Sequence, residues 1–246
     1  MNAYGGTDVG KQRTINQDYV MVINEPIGPF PNLYLLADGM GGHKAGEVAS
    51  SFAVESAVEF AKNSTGKSYA SLLDGMVEYT NSRLYEKSAT SEEYVGMGTT
   101  LVIATIVGTT LYVANVGDSR LYVVGNGITQ ITIDHSLVEE MISMGKITRE
   151  EARNHERKNV ITRAVGVERE VIADLFEIEL EEGNTVLMCS DGLTNMVEDH
   201  VIKKIVSSGD EPGDKVHRLI DEANHNGGKD NISVILVELE SHKEVV

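Results

Sequence analysis

At 246 residues, 41% of them hydrophobic and 24% charged, the chain has the make-up of a folded globular protein rather than a fibrous or disordered one. Its 38 acidic residues against 21 basic ones give a formal charge of −17, which argues against nucleic acid and anionic membrane surfaces as partners, since both are held by clustered Lys and Arg. Cys189 is the single cysteine, so an intrachain disulfide and a thiolate metal cage are excluded, in keeping with a reducing cytoplasm.

In chain order, the sequence opens without a basic-then-apolar leader, and no apolar run nears the roughly 18 residues of a membrane span, so a cytoplasmic protein with no membrane partner is expected. Segments 19–23 and 33–37 are short and rich in apolar, β-branched and aromatic residues, and predict two strands. Ala49, Phe52, Ala53, Ala57, Phe60 and Ala61, then Leu73, Met76, Val77, Thr80 and Leu84, recur at three- and four-residue spacing and predict two amphipathic helices. Strands are predicted next at 99–107, 111–116, 121–124 and 128–133, joined by short links that include Asn126-Gly127, a tight-hairpin signal.

Residues 134–166 are polar and charge-dense, with few strand formers, and predict short surface helices in an insertion or flap. Strands follow at 171–180 and 185–190. A second helix pair carries Val201, Ile202, Ile205 and Val206, then Val216, Leu219, Ile220 and Ala223, divided by Pro212-Gly213. A strand at 232–239 closes the pattern. Strands in runs and helices in runs predict an α+β fold of two packed antiparallel sheets with helix pairs outside, in one domain spanning 1–246.

Asp-Gly is ordinarily a turn signal, and Asp74-Gly75 within a helical pattern shows how little one pair means. Asp38-Gly39 and Asp191-Gly192 differ because each follows an apolar strand, and Asp118 follows 111–116 in the same way. Asp18 and Asp230 precede strands. In an antiparallel sheet one strand's start lies beside its neighbour's end, so all five aspartates are expected on one rim, as hard divalent cations such as Mg²⁺ or Mn²⁺ require of their oxygen ligands. Arg13, five residues before Asp18, offers a fork of donors for a phosphate dianion, and His43, after Gly39-Met40-Gly41-Gly42, could protonate a leaving oxygen.

Other motifs fail on context. Cys189 is followed six residues on by Asn195 where a cysteine-phosphatase loop needs Arg, so a buried structural thiol is expected. Residues 61–68 match a relaxed phosphate-binding loop, but they follow a helical pattern rather than a strand, and a helix-to-helix turn is predicted.

The ordered set Arg13-x-x-Asn16-Gln17-Asp18, Ala37-Asp38-Gly39-Met40-Gly41-Gly42-His43, Gly98-Thr99-Thr100, Gly117-Asp118-Ser119-Arg120, Ser190-Asp191-Gly192-Leu193 and Asp230-Asn231 resembles bacterial members of the metal-dependent protein phosphatase family, type 2C. Asp134-His135-Ser136 and the stretch to Gly166 look like that family's flap, with Glu156 standing where many relatives have proline. The resemblance implies a four-layer αββα sandwich with two or three Mn²⁺ or Mg²⁺ ions at one edge. It implies that Asp38 bridges two ions, that the Gly39 carbonyl sits on one of them and that Asp191 and Asp230 complete the other. Asp118 would help hold a third, and Asp18 would act directly or through water. Arg13 would grip the substrate phosphate and His43 act as general acid. The implied substrates are phosphoserine and phosphothreonine proteins made by bacterial Ser/Thr kinases, and the protein is expected to be a monomer. A catalytically silent relative that binds phosphoproteins is the rival reading; such a chain should lack at least one metal aspartate, and all five are present.

Overall fold

The computed structural model describes residues 1–42, 44–66 and 68–239. In chain order the strands are β1 (Asn2–Asp8), β2 (Asp18–Ile23), β3 (Leu33–Met40), β4 (Gly98–Thr99), β5 (Leu101–Val107), β6 (Thr110–Val116), β7 (Arg120–Val124), β8 (Ile128–Gln130), β9 (Asp174–Glu179), β10 (Thr185–Cys189) and β11 (Ile232–Glu238). The helices are α1 (Ala45–Asn63), α2 (Tyr69–Ser88), α3 (Leu137–Ser143), α4 (Arg149–Arg153), α5 (Asp191–Thr194), α6 (Asp199–Val206) and α7 (Pro212–His225). One sheet runs β1-β11-β10-β7-β8 and the other β2-β3-β5-β6-β9, with β4 paired to β3, and every pairing is antiparallel.

Alternation along the strands fills three apolar layers. In β3, Leu33, Leu35 and Ala37 face α1 and α2, while Tyr34 and Leu36 face the opposite sheet. In β11, Val234 and Leu236 pack with α6 and α7, while Ile235 and Val237 enter the space between the sheets. Each central strand is therefore buried on both faces, which is why these strands read as continuous apolar runs although the sheets are antiparallel. The order helices, sheet, sheet, helices is the αββα sandwich. Among the described residues no helix is long and apolar enough to cross a membrane.

Three differences from the sequence reading have local causes. Strand β1 was not predicted, because Gly5 and Gly6 lie at its centre. A Cβ on Gly5 would meet Val22 of the facing sheet at 3.0 Å, and one on Gly6 would meet Val216 of α7 at 2.8 Å, so the close approach of both layers requires these weak strand formers. Strand β8 stops at Gln130, short of the predicted 133, because the Thr132 hydroxyl takes the Leu121 N–H at 3.0 Å in place of a backbone carbonyl. Strand β9 starts at Asp174, not 171, because Arg163 bonds the Ile172 carbonyl at 2.9 Å.

Residues 134–166 contribute α3 and α4 and no strand of either sheet. Ser136 caps α3, and Thr148 caps α4 in a reciprocal box with Glu151. α1 ends at Asn63 and α2 begins at Tyr69, so a helix and not a strand leads into the segment between them, of which Lys67 lies outside the described residues.

Candidate metal centre and phosphate site

The register of β2 on β3 sets Asp18 opposite Asp38. Both ends of the Asp38 peptide are fixed: its N–H donates to the Thr100 hydroxyl at 2.9 Å, and its carbonyl accepts from Thr100 N at 2.9 Å and Thr99 Oγ1 at 3.0 Å. The Thr100 hydroxyl also bonds Ser119 at 2.8 Å, which ties Asp38 to the crossing from β6 to β7 where Asp118 sits. Gly39 packs so tightly on the first turn of α1 that a Cβ there would lie 2.0 Å from the Gly46 carbonyl oxygen.

Across the sandwich, Asp191 opens the single turn α5 at the end of β10, and Asn195 donates to its Oδ2 at 2.9 Å. A Cβ on Gly192 would lie 1.9 Å from the Asn231 carbonyl oxygen, so only glycine lets the Asp191 turn close on the Asp230-Asn231 turn. Asn231, buried, then reaches back to the N-terminal loop. Its Oδ1 accepts from Gln17 N at 2.8 Å, and its Nδ2 donates to Val9 O at 2.9 Å and Ile15 O at 3.0 Å. That loop carries Arg13, whose Nη2 meets Asp230 Oδ2 at 2.8 Å.

All five predicted aspartates thus share one site. Burial pushes Asp38 and Asp118 well above the usual carboxylate range, Asp18 up to about 7 and Asp191 up to about 6, and in each case a neighbouring aspartate adds to the shift. Asp38 feels Asp18, Asp191, Asp118 and Asp230 at once. Arg120, Lys158 and Arg13 offset this crowding only in part: Arg13 is half exposed, Arg120 is shared with Asp134 through three bonds of 2.7 to 3.0 Å, and the Asp191 carboxyl stays raised. Asp18 Oδ2 accepts from Ser190 at 2.7 Å, while Oδ1 is buried without a hydrogen-bond partner among the described residues.

An orphaned carboxylate oxygen amid mutually repelling, hard oxygen donors fits cations. Among the described residues no three His, Cys, Asp or Glu side chains already close on one point as a preformed cage.

His43 lies outside the described residues. Cys189 is fully buried at the end of β10, where burial pushes its thiol up to about 12, so it is no nucleophile. Sequence reasoning found the Asp230-Asn231 pair but gave its asparagine no task, and it missed Ser190 and Thr100 as the groups that orient Asp18 and Asp38. Their signal was membership of the motifs Gly98-Thr99-Thr100 and Ser190-Asp191-Gly192-Leu193, which by themselves assign neither residue an orienting role.

The family model described as Protein phosphatase 2C matches residues 6–224. A serine/threonine phosphatase of Listeria monocytogenes is 40% identical over 247 residues, an alignment covering 97% of this chain and 96% of the relative. The crystal structure of the serine/threonine phosphatase Stp1 from Staphylococcus aureus aligns with a TM-score of 0.91 at 37% identity, covering 97% of this chain and 95% of that one. The catalytic domain of the phosphatase PstP, solved with two manganese ions, aligns with a TM-score of 0.83 at 34% identity over 96% of each chain. The sandwich, the order of its motifs and these likenesses converge, and the chain belongs to the protein phosphatase 2C family.

Proposed function

We propose that this chain is a metal-dependent hydrolase of phosphoserine and phosphothreonine on proteins. The observation that carries the reading is the convergence of Asp18, Asp38, Asp118, Asp191 and Asp230, with the carboxyls of the first four pushed up and Asp18 Oδ1 without a hydrogen-bond partner among the described residues. Two or three Mn²⁺ or Mg²⁺ ions would be held by Asp38, the Gly39 carbonyl, Asp191 and Asp230, with Asp118 serving a weaker third and Asp18 acting directly or through water. When bound, such ions supply an activated water and neutralise charge on the transferring phosphoryl group.

The rest falls to the chain's own residues. Only Nη2 of the Arg13 fork is engaged among the described residues, which leaves donors for a phosphate dianion. Asn231 holds the Arg13 loop against the aspartate turn and so fixes where that phosphate can lie. His43 is assigned the proton for the leaving seryl or threonyl oxygen. With no nucleophilic cysteine, direct attack by water without a phosphoenzyme is the consistent route.

Residues 1–246 are read as one catalytic domain with 134–166 as its flap. The protein would work as a cytoplasmic monomer on the products of a Ser/Thr kinase. A silent phosphoprotein-binding relative is the weaker reading, because none of the five aspartates has been lost. Turnover of an aryl phosphate with Mn²⁺, abolished by chelator and restored by the metal, tests the proposal; sustained turnover in chelator, or metal binding without turnover on aryl phosphate and phosphopeptides, would overturn it.

A further inference from the structure

Beside the carboxylates, β3 ends at Met40, two residues past Asp38, and pairs there with Gly98 of β4. A groove of about 320 Å³ opens on Met40, with Ile161, Val167, Val171 and Ile172 as its other aliphatic walls. Val167 is 45% exposed and Ile172 77%. The backbone that carries them is nevertheless pinned along its length. Thr99 and Val165 exchange two backbone bonds of 3.0 and 2.9 Å. Asn81, buried in α2, accepts from Gly166 N at 2.8 Å and donates to the carbonyls of Glu168 and Arg169 at 3.1 and 3.2 Å. Arg163 holds the Ile172 carbonyl at 2.9 Å and Asp174 at 2.8 Å.

The floor is equally specific. A Cβ on Gly98 would come within 2.6 Å of Val167 and 2.8 Å of Met40, so the two side chains meet over a glycine. Large aliphatic side chains held in water by a fixed backbone gain nothing for the fold, whereas a preorganised apolar surface costs little to dock against. The rim adds charge: Glu168 and Glu170 line the groove, and neither carboxylate has an ion-pair partner among the described residues. Arg163, also on the rim, is taken by Asp174, and Arg169 does not line the groove.

We propose that this groove is a substrate subsite that seats an aliphatic side chain of the phosphoprotein close to the phosphoresidue, with a neighbouring Lys or Arg facing Glu168 and Glu170. The proposal rests on the phosphatase reading. The occupant is the substrate chain itself, because Met40, which lines the groove, lies two residues along β3 from Asp38, beside which the phosphoester is placed. At about 3.3 Å per extended residue, the two-residue step from Asp38 to Met40 places the seated side chain two or three positions from the phosphoresidue.

The test uses the full-length protein with Mn²⁺ and phosphothreonine peptides carrying Leu or Gly at the second and third positions on either side. In the unaltered enzyme one Leu position should raise kcat/KM about 5- to 10-fold over Gly, mainly through KM, as one half-exposed aliphatic contact allows. In the double variant Val167→Ser/Ile172→Ser the preference should shrink to within about twofold, while Ile172→Leu should keep it. Because each reading is a ratio within one protein, a general loss of activity does not imitate it. Equal values for Leu and Gly peptides, or a preference that survives the double substitution, overturns the subsite. Aryl phosphate turnover by the unaltered enzyme separates the two failures: with turnover and a flat peptide series only the subsite falls, and without turnover the phosphatase reading falls and the subsite with it.

Discussion

The aspartate rim and residues 134–166 stand side by side but are built by different means. On the rim, each acidic side chain hangs from a strand end or a turn held by backbone bonds, as Asp38 is by Thr99 and Thr100 of its own sheet, and Asp38 is crowded by the carboxylates of Asp18, Asp118, Asp191 and Asp230. In the neighbouring stretch, α3 and α4 are short, their caps are local, and the ion pair Arg149–Glu139 is largely exposed on its arginine side. The rim stores electrostatic repulsion that a rigid frame makes possible. The stretch 137–153 stores almost none and is held by caps and exposed ion pairs worth about 1 kcal/mol or less each, while Asp134 and Val165 at the ends of the region are tied to the sandwich. Position is fixed where the chemistry needs it, and local adjustment is left to the surface where a substrate must pass.

The comparison breaks most visibly at Asp38. Asp38→Asn should lower kcat/KM on aryl phosphate by at least about 10³-fold, on the order of 4 kcal/mol, because a carboxylate proposed to hold the cations would be lost. The same change should raise the melting midpoint of the chelated protein, since it removes a buried charge crowded by four others. Reduced activity together with a lower chelated midpoint would mean that Asp38 is a structural carboxylate.

Arg13 lies between the two regimes, half exposed yet bonded to the rim. Arg13→Ala should raise KM about 10- to 100-fold with a smaller effect on kcat, as expected for one charge-assisted contact made equally in ground and transition states. A kcat loss at unchanged KM would instead make Arg13 a transition-state group. Arg13→Lys should recover part of the charge but not the fork.

The stored repulsion has a pH signature in chelator. Asp18 and Asp191 hold protons up to about 7 and about 6 in the native state, whereas the unfolded chain releases them near 4. The native state therefore binds more protons between about pH 4 and 7, and stability falls as pH rises through that window. The chelated midpoint should drop by several degrees over that range, and saturating Mn²⁺ should flatten the slope because the ion replaces the protons. Asp18→Asn should flatten it in chelator too, which separates the buried group from general repulsion among surface carboxylates.

What the sequence disclosed follows the same division. Strand β3 was legible because Leu33 to Ala37 is buried on both faces, and Asp38-Gly39 at its end stood out against that run. Strand β1 was hidden because Gly5 and Gly6 are dictated by Val22 and Val216, neighbours that no local pattern reveals. The same holds for Asn231 and Asn81, whose partners lie more than 200 and more than 80 residues away along the chain. Residues 134–166 announced their polarity and their likeness to a family flap, and the groove over Gly98 was invisible because β3, β4 and the 161–172 segment meet only in the folded chain.

The smallest expected effect sharpens the contrast in the other direction. In the capping box of α4, the Thr148 N–H donates to Glu151 Oε2 at 2.7 Å, and the Thr148 hydroxyl accepts from Glu151 N at 3.2 Å. Thr148→Ala removes one half of that exchange and should cost about 1 kcal/mol. Because α4 is a five-residue helix belonging to neither sheet, the loss should stay local: amide exchange across residues 149–153 should speed up about fivefold, while exchange in β5 should not change. Thr148→Ser should restore the slower rate. If β5 exchanged faster as well, residues 134–166 would open together with the sandwich as one cooperative unit, and the division between a rigid rim and an independently adjustable neighbour would not hold.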